Sequence, residues 1–326
     1  MRWAIIGAGA IAFNRFAPAL RRSGQPLTGI SRRDPGQLQQ WQRFADADAV
    51  VTTDPSRMLE QARPDAVYVA SPPAFHVDHA ALALEHGCPV LVEKPLALDA
   101  AQARRLRDVA QANGTFFTTA LMMRHNTQHQ RLREAIAERQ LGDIRSMTLR
   151  MAFDYTAPRT WRMDPTLGGG GAFADLGPHL LDLTQFLTGD QIDGVGGVMA
   201  AVTTQTVEDS AAICARLRGG TLAAIFTHFN LPTQCAPSRI EVNGTHGYAI
   251  IEGSLGQTDE GTSTICNTRG TTRHLTTDPG DLYLRQLDAF ADLAGASTQW
   301  ERRMDEDVAL QAVIDSVYAD CDGLRQ

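Results

Sequence analysis

Residues 1 to about 120 alternate short apolar runs with amphipathic stretches, a rhythm that few folds accept. The apolar runs cover 3–7, 27–31, 49–52, 66–70, 90–93 and 115–119, and helical periodicity fills 11–22, 35–44, 57–61, 77–86 and 99–112. Strand and helix alternating at this spacing predict an α/β unit, a parallel sheet with helices on both faces. After residue 120 the rhythm changes. Helices are expected at 130–139 and 173–187, a strand at 144–153, and consecutive β-like runs at 211–217, 221–229, 239–242 and 248–252. Strands without intervening helices predict an α+β domain with a largely antiparallel open sheet, closed by helices at 282–293 and 306–322. The expected division is 1–120 and 121–326.

The first strand runs into Gly7-Ala8-Gly9-Ala10-Ile11-Ala12. Glycines between a strand and a helix permit a tight turn and let a pyrophosphate approach the backbone N–H groups at the helix start. Gly7, Gly9, Ala10 and Ile11 are therefore candidate dinucleotide contacts, and the first domain is expected to be a Rossmann domain. The second strand ends in Ser31-Arg32-Arg33, where an acidic residue would favour the ribose hydroxyls of NAD. A hydroxyl and two guanidiniums suit a 2′-phosphate instead, so NADP(H) is favoured over NAD(H).

Glu93-Lys94-Pro95 closes the apolar run of the fifth strand. A lysine at that point lies in the crevice beyond the strand ends, on a turn stiffened by Pro95. A nucleotide loop and a pinned lysine together suggest redox chemistry on a carbonyl or alcohol. Ser71-Pro72-Pro73 is expected to form another cofactor-facing turn, with a helix beginning near His76. His76 and His79 have i, i+3 spacing, but no further ligands converge on them, so no metal is expected.

The second strong signal is Gly168-Gly-Gly-Gly171 followed by Ala172-Phe-Ala-Asp175-Leu-Gly-Pro-His179-Leu-Leu-Asp182. On a helix, Asp175, His179 and Asp182 share one face. Either the carboxylates tune a proton-transferring histidine, or the segment is a helix start with buried polar contacts, Asp182 especially. The glycines let the loop bend close to another element.

Bulk properties exclude other classes. A net charge of −7 disfavours nucleic acid or an anionic membrane as the main partner. No apolar run reaches the roughly 20 residues of a membrane helix. The five cysteines are scattered without Cys-x-x-Cys spacing, as in a cytoplasmic protein with reduced thiols. No hydrolase elbow or P-loop is present.

The glycine loop, Glu93-Lys94-Pro95-Leu96-Ala97 and Asp175-x-Gly177-x-His179-x-x-Asp182, in this order, resemble the glucose–fructose oxidoreductase / inositol dehydrogenase (GFO/IDH/MocA) family over nearly the whole chain. The resemblance implies hydride transfer between NAD(P) and a sugar, polyol or related carbonyl compound. It implies Lys94 as the catalytic lysine, His179 as the proton-transferring histidine and Asp175 as its acidic partner, with Glu93 beside the cofactor. It also implies a homodimer or homotetramer built on the open sheet. Trp161-Arg162 and Asp278-Pro-Gly-Asp-Leu-Tyr283 are similar to the subgroup containing 1,5-anhydrofructose reductase. Trp161 and Arg162 are accordingly expected at the cofactor, and Arg162 and Tyr283 near the substrate. Ala120-Leu121 stands where that subgroup carries asparagine and histidine. Two other readings fit the same fold: a dinucleotide-binding regulator without turnover, and a NAD-assisted glycosidase.

Overall fold

A computed structural model describes residues 1–155, 160–204, 206–275 and 279–321. The chain divides into two compact units, one of 1–120 with 283–311, the other of 121–282 with 312–326.

The first unit is built on six parallel strands: β1 Trp3–Ile6, β2 Leu27–Ser31, β3 Val50–Thr52, β4 Ala66–Val69, β5 Val90–Val92 and β6 Phe117–Thr119. Their order is β3-β2-β1-β4-β5-β6. Every residue of β1 and β4 is buried, as expected of central strands covered on both faces. The connecting helices are α1 Ala17–Arg22, α2 Pro55–Ala62, α3 His76–Glu85 and α4 Ala100–Ala112. Local chemistry starts two of them. Asp54 caps α2 by accepting from the Ser56 and Arg57 N–H groups at 3.0 and 3.2 Å, with Pro55 in the first helical position. Asp99 caps α4 through Gln102 N–H at 2.8 Å. A widened π turn, Ala12–Phe16, precedes α1, just before Pro18, whose missing N–H cannot continue the usual ladder.

The expected helix at 35–44 is instead two 3₁₀ segments, Pro35–Gln37 and Gln39–Arg43. Its anchor is the buried Trp41, which meets Phe13 edge-on at 5.2 Å. One tryptophan fixes the segment without an apolar stripe long enough to demand an α-helix.

The second unit carries α5 Thr127–Ala137, the short α6 Pro165–Gly168 and α7 Ala172–Thr188. Its strands are β7 Ile144–Ala152, β8 Ile192–Ala200, β9 Ser210–Leu217, β10 Leu222–His228, β11 Arg239–Gly244, β12 Gly247–Glu252, β13 Thr262–Asn267 and β14 Thr272–His274. They form one sheet in the order β14-β13-β12-β11-β7-β10-β9-β8, antiparallel except for the parallel β7–β10 pair. Burial alternates along β9 and β10. Ala211, Ile213, Leu217 and Ile225 are buried, on strands that pack against α7. The opposite face carries Cys214, Leu222 and, across the sheet, Tyr248.

Two helices close the chain, α8 Leu282–Ala294 and α9 Trp300–Asp320. Residues 283–311 pack with the first unit. Aromatic packing explains this placement. Phe290 lies 5.0 Å from Trp3 and 5.3 Å from Phe116, and Trp300 stacks on Phe116 at 4.9 Å. Asp307 accepts the Thr119 N–H at 2.8 Å, covering a backbone donor on edge strand β6.

His129 sits fully buried in α5 with a complementary pair of partners. Nδ1 lies 2.8 Å from the Met123 carbonyl and Nε2 lies 2.8 Å from the Ser254 hydroxyl. A neutral ring donates to the first and accepts from the second. Burial lowers its pKa from 6.5 to about 4. The unfolded chain therefore binds this proton more readily, and the stability involved is present above pH 6.5 and lost as pH falls through about 4. The shift corresponds to about 3 kcal/mol. Urea midpoints measured from pH 7 to pH 4 should fall less steeply in His129→Gln than in the wild type.

Candidate active site

In the first unit the strand order reverses at β1–β4, so the turns after β1 and β4 flank the crevice that α/β sheets use for ligands. Gly7 has φ +79°, and a Cβ there would overlap the Ser71 backbone. Only glycine lets the two turns meet. At Gly9 a Cβ would find nothing closer than Gly7 O at 3.6 Å and Ala70 O at 3.8 Å. The loop is closed where it touches the β4 turn and open at Gly9, which leads into the helix start: Phe13 N–H bonds Gly9 O at 3.0 Å. Ala10 is exposed and Ile11 half-buried in that first turn. Such a loop fits a dinucleotide pyrophosphate.

Arg32 donates through Nη1 to Ala8 O at 2.7 Å, bringing its guanidinium to the same loop, and Arg33 is exposed. Ser31 is buried, its carbonyl accepting from the Gly7 and Ala8 N–H groups at 2.9 and 3.2 Å. The arginines thus lie beside the loop, while Ser31 shapes it through its backbone.

Lys94 is half-buried two residues beyond β5, and the Lys94–Pro95 peptide is cis. The Glu93 carboxylate accepts from the Tyr68 hydroxyl and from Lys94 N–H, the latter at 3.3 Å. Tyr68 is itself clamped, its ring stacked on Phe16 at 3.9 Å. Burial, then the Glu93 charge, push its phenol well above the usual range. Glu93 therefore acts on the turn that carries Lys94. Tyr283, expected near substrate, is buried in this unit, where its electrostatic influence reaches Tyr68. Asp278 of the same motif lies outside the described residues.

The His76 ring is buried, with Nε2 2.7 Å from Ser71 O and Nδ1 2.8 Å from Pro95 O. Both nitrogens face backbone carbonyls, so neither is turned to a ligand. Ser71 is also buried, its hydroxyl 3.0 Å from His79 Nδ1, and Pro72 is half-buried.

In the second unit, α7 carries Asp175 in its first turn and the buried His179 one turn later. Arg162 Nε donates to Asp175 Oδ2 at 3.2 Å, and its guanidinium lies 4.2 Å over the Trp161 ring. Tyr155 lies 3.5 Å from Arg162 Nη1 through its hydroxyl. Burial works against the guanidinium's charge, but Asp175 and Tyr155 outweigh it and raise its pKa. The structure thus gathers Trp161, Arg162, Asp175 and Tyr155, the last of which sequence reasoning missed. Asp182 has a structural partner: Arg124 grips its buried carboxylate through Nε at 2.8 and 2.9 Å and also through Nη2. Of the two readings of Asp182, the buried polar contact is the one present.

Sequence reasoning also missed Glu208. Its buried Oε1 accepts from the N–H groups of Gly171, Phe173 and Ala174 at 2.8, 3.0 and 3.4 Å, and from the Tyr318 hydroxyl at 2.7 Å. It supplies the acceptor that the N-cap, Gly171, has no side chain to offer. A Cβ at Gly171 would overlap Glu208 O and one at Gly170 the Tyr318 hydroxyl, so the glycine run lets the loop meet this cluster. Burial raises the Glu208 pKa. The only sequence hint was an acidic pair, Glu208-Asp209, at the head of an apolar strand.

Two family models match the chain: an oxidoreductase family, NAD-binding Rossmann fold, over residues 1–141, and a GFO/IDH/MocA C-terminal domain over 129–250. The chain belongs to the GFO/IDH/MocA family. It is an NAD(P)-dependent oxidoreductase acting on CH–OH or C=O groups. It is 28% identical over 296 residues to 1,5-anhydro-D-fructose reductase of Ensifer adhaerens, covering 89% of this chain and 86% of that one. Over 194 residues it is 35% identical to D-glucoside 3-dehydrogenase of Escherichia coli strain K12, covering 58% of this chain and 54% of that one. A 3-ketoreductase variant from Actinomadura kijaniata, solved with TDP-benzene and NADP, superposes with a TM-score of 0.86 at 24% identity, covering 98% of each chain. Among the described residues no cluster could hold a metal ion, and no helix is long and apolar enough to cross a membrane.

Glu208→Ala would strand three N–H groups and a buried hydroxyl, and should cost about 2–4 kcal/mol in urea unfolding. Glu208→Gln, which keeps an acceptor oxygen, should cost less than half as much.

Proposed function

We propose that this chain transfers hydride between NADP(H) and a carbonyl or hydroxyl group of a carbohydrate-like small molecule. The observation that carries the reading is the turn at Lys94. A lysine two residues beyond β5 is braced by Glu93, Tyr68 and His76 in the unit that holds the nucleotide loop. The relatives named above act on sugars, which supports the substrate class.

Bound at the Gly7–Ile11 loop, the nicotinamide cofactor supplies or accepts hydride. Gly7, Gly9, Ala10 and Ile11 would hold the pyrophosphate and Arg32 and Arg33 would meet the 2′-phosphate, while the family resemblance assigns Trp161 and Arg162 to the nicotinamide half. Ser31, Ser71, Pro72 and Glu93 shape that site. In the reductive direction Lys94 donates a hydrogen bond to the carbonyl oxygen and stabilises its developing negative charge. The family resemblance assigns the proton to His179, and Asp175, one helical turn away, stabilises its imidazolium. Arg162 and Tyr283 contribute to substrate placement.

We further propose a cytoplasmic homodimer or homotetramer. The open sheet face exposes Val198 at 69%, Leu222 at 58% and Tyr248 at 41%. Apolar side chains gathered on a sheet face favour burial against a second copy. The free cysteines suit a reducing compartment.

Lys94→Met should lower kcat about 10²- to 10³-fold on a keto-sugar that the wild type reduces. NADPH affinity, followed by quenching of cofactor fluorescence, should change little; wild-type turnover would remove Lys94 from its role. Arg32→Ala should weaken NADPH about tenfold or more while leaving NADH within about threefold, as loss of a charge-assisted phosphate contact requires. Equal weakening of both would mean that Arg32 serves the loop through Ala8 and not the 2′-phosphate.

A further inference from the structure

We propose that His76 is a positioning residue that holds the Lys94 turn in place. The inference rests on the catalytic reading of Lys94 given above. Four observations carry it. His76 opens α3 and is 1% exposed, so its ring is a packing element rather than a surface group. Its two nitrogens span two separate turns, Ser71 O at 2.7 Å and Pro95 O at 2.8 Å. Ser71 is also the residue against which Gly7 closes. A line of direct contacts therefore runs from the glycine loop through Ser71 and His76 to Pro95, the residue bonded to Lys94.

The fourth observation is a mismatch of donors. A neutral imidazole has one N–H, yet both partners are carbonyl oxygens, which only accept. Burial lowers the pKa of the ring to about 4 against the opposing pull of the Pro95 and Ser71 carbonyls, with smaller lowering from the neighbouring His79 and Lys94. His79 is itself lowered by burial and opposed by Asp78. At neutral pH, one proton thus serves two carbonyls, and the ring ties one turn firmly and the other by packing. His129, equally buried, has a carbonyl and a hydroxyl and suffers no such mismatch. What the ring does in place is span the Ser71 turn and the Pro95 turn.

The test compares His76→Phe, which keeps the bulk and loses the single N–H donor, with His76→Gln, whose amide NH₂ donates two hydrogens. Each is made in the wild type and in Lys94→Met. Turnover is read on a reducible keto-sugar at saturating NADPH, with cofactor affinity from fluorescence and folding from melting curves. His76→Phe should lower kcat about 10- to 100-fold, the scale of a misplaced catalytic group. Its NADPH affinity should stay within about threefold, and His76→Gln should recover kcat to within about threefold of the wild type. In the Lys94→Met background, His76→Phe should lower the residual rate less than twofold. The proposal is overturned if His76→Phe leaves kcat unchanged, or costs the same factor with and without Lys94. If His76→Phe does not fold, His76→Asn, too short to span both carbonyls, should show the same loss of kcat, and an unchanged kcat there overturns it equally. Wild-type turnover by Lys94→Met alone would instead overturn the catalytic reading beneath it.

Discussion

The closure of Gly7 against Ser71 is the contact on which the rest of the amino-terminal unit depends. No other residue leaves room for the Ser71 backbone at that point, and the positive φ of Gly7 adds a second reason for glycine. With the two turns locked, the positions of the groups beyond them follow. The Ser71 carbonyl receives His76, the His76 ring reaches Pro95, and Pro95 adjoins Lys94. From the other side, Phe16 stacks on Tyr68 and Tyr68 holds Glu93. The lysine turn is thus fixed by the sheet beneath it and by side chains from both neighbouring crossovers. A functional group held on rigid elements keeps its geometry better than one on a free loop.

The second unit uses a different device for the same end. A helix that must present side chains from its first turns needs those turns ordered, and its leading N–H groups need acceptors. Gly171 offers none, and the acceptor arrives from another part of the chain as Glu208, braced by Tyr318. The glycine run is the condition for this approach. Burying a carboxylate is costly, and here the cost is offset by backbone N–H groups and a hydroxyl rather than by a cation.

Much of this was legible in the chain itself. Glycine between a strand and a helix, a lysine before proline at a strand end, and alternating strands and helices all record local requirements. Local requirements are what sequence patterns carry. The rest depended on distant partners. Nothing local to 283–311 says that Phe290 and Trp300 will seek Trp3 and Phe116. The stretch 35–44 has turn-forming residues and one anchoring tryptophan, and periodicity alone overstated its helicity. The two carbonyls that His76 meets, Ser71 O and Pro95 O, belong to turns five and 19 positions away and leave no local pattern. Glu208 and Tyr318 are 110 positions apart and leave no motif.

The two aspartates of α7 show how far spacing can be trusted. Asp175 and Asp182 lie on the same helix face by periodicity, and each meets an arginine, yet the pairings differ in kind. Arg124 grips Asp182 through two nitrogens, and the carboxylate is 1% exposed. A buried fork of this sort is expensive to break, since either partner left alone is an uncompensated charge. Asp175 meets Arg162 through Nε at 3.2 Å, with side-chain exposures of 16% and 29%, and the guanidinium rests on an indole face. The Trp161 ring face adds a second stabilising contact for the guanidinium. Spacing places both carboxylates on one face, but only their arginine partners separate them: Asp182 is held in a buried fork and Asp175 in a single, more exposed contact.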